Sequence, residues 1–104
     1  MNISYSKSFI KSASKLTGKY KNSLQEKIKE VKAAQSVEEL TDCKKLETFS
    51  HAYRVRIGDF RAFFIFTLEN NTVNFEYLVN RGDAYSKEYI QALRMKEKEW
   101  TLLL

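Results

Sequence analysis

The sequence predicts an α+β fold in which two N-terminal helices pack on an antiparallel sheet and a last helix closes the chain. Three observations carry that expectation. Apolar residues recur about once per helical turn through Tyr20, Leu24, Ile28 and Val31. From Tyr53 onward the apolar period becomes two and holds through three consecutive segments. Short turn signals, Gly58-Asp59 and Asn70-Asn71, separate those segments, as hairpins require.

Each element follows in order. Ile3 and Tyr5 alternate with polar neighbours and predict a short first strand. Ser6 or Ser8 then caps a helix carrying Phe9, Ile10, Ala13 and Leu16 on one side and ending near Gly18. The Tyr20 to Val31 periodicity supplies the second helix, and Val37 to Leu40 reads as a further short turn. Asp42 to Ala52 is a polar connection with no clear period.

In the next strand Tyr53, Val55 and Ile57 take one face and Arg54 and Arg56 the other. Phe60, Ala62, Phe64, Phe66 and Leu68 continue the apolar face after Gly58-Asp59. Val73, Phe75, Tyr77 and Val79 repeat it after Asn70-Asn71. Tyr85 to Trp100 reads as a closing amphipathic helix with Tyr89, Ile90 and Leu93 inward. The expected order is β-α-α-β-β-β-α, with residues 1–104 forming one domain, since neither half of 104 residues would hold a sufficient core.

Composition narrows the function classes. The apolar runs are far shorter than a membrane span, and MNISYSKSF lacks the apolar core of a signal peptide, so a cytoplasmic protein away from membranes is expected. Cys43 and His51 each stand alone, which predicts no disulfide, no metal and no cofactor. A net charge of +5 suits a polyanionic partner, although many soluble proteins are as basic. Ten of the Lys fall within the first 45 residues at helical intervals, as expected of a solvated helix surface. All five Arg come later, and four of them lie between positions 54 and 81. Their planar forks match phosphate, so their placement carries more information than their number.

A two-residue Gly58-Asp59 loop sets Ile57 opposite Phe60, Arg56 opposite Arg61 and Arg54 opposite Phe63. Arg54, Arg56 and Arg61 then share one face, with no interleaved carboxylate and with two cations directly opposed. Extending the register over Asn70-Asn71 sets Asn80 opposite Arg61 and brings Arg81 out at the same end. A cluster that costs stability points to an anionic ligand, with phosphate the natural candidate. The alternative is that these arginines keep a one-sided sheet soluble, paired in space with Glu76 or Glu47.

The stretches YRVRIGDFRAFF, VNFEYLV and NRGDAY, behind a strand and two helices, resemble the RelE/ParE superfamily of bacterial type II toxins. The pattern is most in keeping with the RelE-like mRNA interferase branch. That resemblance implies a ribosome-dependent endonuclease that drives an RNA 2′-hydroxyl onto the neighbouring phosphate without a metal. It implies catalytic roles for Arg61, Arg81 and Tyr85, RNA-binding roles for Arg54 and Arg56, and a cognate antitoxin as partner beside mRNA on the ribosome. Where the RelE pattern has Lys at the first two basic positions, this chain has Arg54 and Arg56. Arginine is a poor general base, so the base falls to Tyr85, Glu47, Glu76 or His51, and sequence leaves the choice open. The same fold also serves a ParE-like, gyrase-binding toxin without nuclease chemistry, and a relative that only binds its antitoxin. The apolar tail, Trp100 and Leu102 to Leu104, suits either the core or a partner.

Overall fold

A computed structural model describes residues 1–84 and 86–103, with side chains as far as Trp100 and the backbone alone beyond it. Five strands form one sheet: β1 (Asn2–Tyr5), β2 (Cys43–Lys45), β3 (Ala52–Ile57), β4 (Phe60–Thr67) and β5 (Thr72–Asn80), in the order β1-β5-β4-β3-β2. Helices α1 (Lys7–Ala13) and α2 (Gly18–Ala33) lie between β1 and β2, and α3 (Lys87–Leu103) follows β5. Single 3₁₀ turns occupy Val37–Glu39 and Arg81–Asp83. The expected fold class holds, with antiparallel β2-β3-β4-β5 pairing and the N-terminal helices packed on the sheet.

Four features extend or correct the sequence reading. The polar connection after Asp42 contains β2, which pairs Lys44 with Arg54. Strand β1 joins the opposite edge parallel to β5, so the sheet is mixed. Helix α1 stops at Ala13, well before Gly18, leaving Ile10 exposed and Leu16 buried in the link to α2. The β4–β5 connection is a four-residue loop, Leu68 to Asn71, with Thr67 opposite Thr72. Its last residue, Asn71, takes the left-handed φ of 49° that asparagine tolerates well.

Sequence chemistry explains the joins. Of the two candidate caps, Ser6 is the one used: its Oγ accepts from the Phe9 N–H at 3.0 Å. The same hydroxyl donates to the Glu76 carbonyl at 2.6 Å, tying the start of α1 to the middle of β5. Lys27 departs from the solvated-lysine expectation. It is buried on α2 and donates to Glu30 Oε1 at 2.8 Å and to the Thr41 carbonyl at 3.0 Å, closing the turn that leads into β2.

The sheet is covered on both faces. On one side Val55, Ala62, Phe64, Val73 and Phe75 pack under Phe9, Leu24 and Val31 of the first two helices. Phe9 and Phe75 stack with centroids 5.0 Å apart. On the other side Ala52, Phe63, Ile65 and Val79 meet Leu93 of α3 together with Leu46 and Phe49. Strand β4 is therefore apolar on both faces along most of its length. Tyr89, Ile90 and Leu93 face this second core as the periodicity predicted, and Trp100 packs against it too. The leucines at 102–104 lie outside the described side chains.

Candidate functional site

Gly58-Asp59 is the two-residue loop predicted. Gly58 takes φ +58°, the first position of a turn whose twist matches the flanking strands. The pairs Ile57–Phe60, Arg56–Arg61 and Arg54–Phe63 all form. Arg54, Arg56 and Arg61 therefore lie on one face of the sheet, the one that α3 covers only in part. Lys44, opposite Arg54, extends the same face and was missed because a three-residue strand is too short to show alternation.

The register carried across β5 differs by one residue from the prediction. Arg61 faces Val79, and Asn80 faces Phe60. The longer Leu68–Asn71 loop shifts the pairing one way. A β-bulge beside Phe63 and Phe64, with Glu76 as the extra residue, shifts it partly back. Arg81 still arrives at the same end of the sheet. Its backbone N–H donates to the Asp59 carbonyl at 2.9 Å, which pins it to the hairpin apex.

Arg61 reaches the apex by its side chain. Its Nη1 donates to the carbonyls of Gly58 and Phe60, both at 2.9 Å, and the residue is 8% exposed. Arg61 and Arg81 thus grip one two-residue turn from two directions, while Arg56 and Arg81 are themselves exposed. The outcome is a cationic rim: Arg81 at the apex, Arg56 across from buried Arg61, then Arg54 and Lys44 one pleat repeat further along. Residues two apart on a strand lie about 6.5 Å from each other, a spacing comparable to successive phosphates of a nucleotide strand.

The candidate bases separate in space. Tyr85 lies outside the described residues. His51 is exposed just before β3, five residues or about 16 Å along the strand direction from Arg56. Glu76 sits on the bulge, buried, where its Oε2 accepts from Trp100 Nε1 at 3.4 Å. Burial pushes its pKa above the ordinary carboxylate range, offset in part by the Trp100 hydrogen bond and the Lys96 charge. Glu47 lines the groove beside Arg54. Two further carboxylates, overlooked in the sequence, come near the apex. Asp59 accepts from the Tyr20 hydroxyl at 3.1 Å, and Asp83 shares the 3₁₀ turn with Arg81. The Cys43 thiol is half-buried, and desolvation pushes its pKa up to about 11 against the pull of Lys27 and Arg54, which makes it a poor nucleophile.

No protein-family model matches the sequence, and no curated protein matches it. Solved structures do. The chain is similar to a RelB-RelE antitoxin-toxin complex from Methanococcus jannaschii, with a TM-score of 0.67 at 22% identity over 79% of this chain and 94% of that one. A RelE-RelB complex from Pyrococcus horikoshii gives 0.66 at 22% identity over 80% and 97%. The isolated RelE toxin of E. coli gives 0.62 at 14% identity over 90% and 96%. At these identities it is the fold that is shared.

Proposed function

We propose, from a RelE-like fold that carries a cationic rim at one end of its sheet, that this chain is the toxin of a type II toxin–antitoxin pair and cleaves mRNA on the ribosome. The observation that carries the reading is the shared grip of Arg61 and Arg81 on the Gly58-Asp59 turn, with Arg56 directly across the ladder. Opposed guanidiniums repel, and an RNA phosphate held by the exposed Arg56 and Arg81 beside buried Arg61 offsets that cost.

In this reading the 2′-hydroxyl of one nucleotide attacks the adjacent phosphorus and the 5′-oxygen of the next leaves. The pentacoordinate phosphate carries extra negative charge, which the cations are placed to stabilise. Arg81 and Arg56 contact the phosphate oxygens. Arg61 is a cation and also holds the turn that positions the other two. Arg54 binds the strand further along. Tyr85, which follows the Arg81 turn in sequence, is the residue the resemblance offers for stacking, orientation or proton transfer. Glu76, turned toward Trp100, is poorly placed to serve as the base.

An antitoxin partner follows from the same reading, because two of the similar structures are antitoxin-toxin complexes. Among the described residues no helix is long and apolar enough to cross a membrane. The test is expression in bacteria followed by mapping of transcript ends during translation. Codon-periodic cleavage is expected, and Arg81→Ala should slow it about 10²- to 10³-fold. Growth arrest with intact messages and a DNA-damage response would instead support a gyrase-directed toxin.

A further inference from the structure

The cationic rim does not stop at Arg54. Beyond it a groove of about 370 Å³ opens between β2, the loop that follows it and α3. Lys44 and Arg54, opposed across the β2–β3 ladder, border it on the sheet side. Phe49 and Ile90 supply apolar wall, and Glu47 offers a hydrogen-bond acceptor.

The loop forming the far wall is held under strain. Thr48, a β-branched residue, stands at φ +65°, where its side chain crowds the backbone. Helix α3 holds it there with two side chains about one turn apart. Arg94 donates from Nη2 to Thr48 Oγ1 at 2.9 Å and lies 4.3 Å over the Phe49 ring. Glu97 accepts the His51 N–H at 2.7 Å and the Ser50 N–H at 3.2 Å. Strained residues that the surrounding structure over-determines tend to mark binding sites. Here the strain shapes a wall facing two cations.

We infer that this groove is a second nucleotide subsite, which takes a nucleotide flanking the cleaved bond on the same single-stranded RNA. Its phosphate lies against Lys44 and Arg54, and its base lies over the Ile90 side of the groove with Glu47 facing the base edge. An apolar wall beside a cationic track holds a single strand with little sequence demand. The inference rests on the RNA-cleaving reading and extends it from one phosphate to a strand.

The test uses fluorescein-labelled oligoribonucleotides with 2′-O-methyl groups, which block the attacking hydroxyl, and reads binding by anisotropy at several salt concentrations. A hexanucleotide should bind more tightly than a dinucleotide. Lys44→Ala should weaken the hexanucleotide about two- to fivefold, the worth of one exposed ion pair. It should also lower the salt slope by about 0.7, and it should leave the dinucleotide unchanged. Lys29→Ala, the same charge change on α2 behind the sheet, should alter neither. If Lys44→Ala behaves like Lys29→Ala while Arg56→Ala weakens both strands, the groove assignment is wrong and the RNA reading stands. Equal weakening of both lengths by Lys44→Ala also overturns it, because Lys44 would then belong to the central site. Failure of the unaltered protein to bind either strand overturns the groove assignment, whereas the ribosome-dependent reading is judged by cleavage during translation.

Discussion

Replacing Arg61 by alanine should destabilise the fold as well as reduce activity, and the two effects can be separated. Nη1 serves the carbonyls of Gly58 and Phe60 at 2.9 Å each, from a side chain almost removed from water. A hydrogen bond from a charged donor is worth about 1.5–3 kcal/mol. The hairpin apex lies at one end of the sheet with Gly58 and Asp59 exposed, so water can replace part of what is lost. The net cost is therefore set at about 2 kcal/mol, nearer to one such bond than to two. With a urea m-value of about 1.5 kcal/mol/M, the unfolding midpoint should fall by about 1.3 M. Arg56→Ala and Arg81→Ala remove exposed cations and should stay within about 0.5 kcal/mol of the unaltered protein. Arg56→Ala should lean toward stabilisation, because it relieves the repulsion from Arg61 across the ladder. A urea midpoint for Arg61→Ala equal to that of Arg81→Ala would refute the assignment of Arg61 as the residue that locks the turn.

Three further outcomes follow from the packing. Gly58→Ala meets no atom within 4 Å, so its cost is the left-handed backbone alone, about 1–2 kcal/mol by thermal or urea unfolding; Gly58→Asn should cost less. Glu76 has a folded-state pKa raised by burial, so it favours the folded chain when protonated. Stability from this group is full below the ordinary carboxylate pKa of 4.5 and is lost as pH rises through the folded value. Glu76→Gln keeps an acceptor for Trp100, should remove that pH slope, and should leave the protein more stable at pH 7, as urea midpoints across pH would show. Lys27→Ala breaks a buried pair whose partner Glu30 keeps 31% side-chain exposure, so the loss should be about 2–3 kcal/mol, short of the cost in a fully buried pair.

The hairpin at the centre of the site was legible in the sequence because a single device specifies it. A glycine able to take φ +58° fixes the loop length, and the loop length fixes which residues face each other. The next hairpin was not. Asn70-Asn71 looks like a two-residue turn, but Leu68 and Glu69 also belong to the loop, and Leu68 is exposed. The bulge at Glu76 then recovers one residue of register, a correction that no local pattern announces. Strand β2 was hidden by its length, and with it went Lys44 and the groove beyond.

The second core was also only half visible. Phe63 and Ile65 alternate with residues of the opposite face in a run that is apolar throughout, so period alone could not say that both faces are covered. That coverage explains why the arginine face is not a fully solvated one. Helix α3 occupies the part of it over Phe63, Ile65 and Val79 and leaves the rim at the hairpin end. Of the site residues, Arg54, Arg56, Arg61 and Arg81 fall on the face or at the end expected of them, and Tyr85 lies outside the described residues. Sequence could not reveal that Arg61 is buried against its own turn, since that depends on where a long side chain folds back.

The central claim is that this rim cleaves RNA through the 2′-hydroxyl, and the chemistry of the cut ends tests it most directly. Purified protein is incubated with ribosomes translating a defined message, and both termini of the products are identified. The account predicts a 2′,3′-cyclic phosphate or its 3′-phosphate hydrolysis product on one fragment and a 5′-hydroxyl on the other, with both lost in Arg81→Ala. A message left whole, or cut to give 5′-phosphate and 3′-hydroxyl ends, would contradict it.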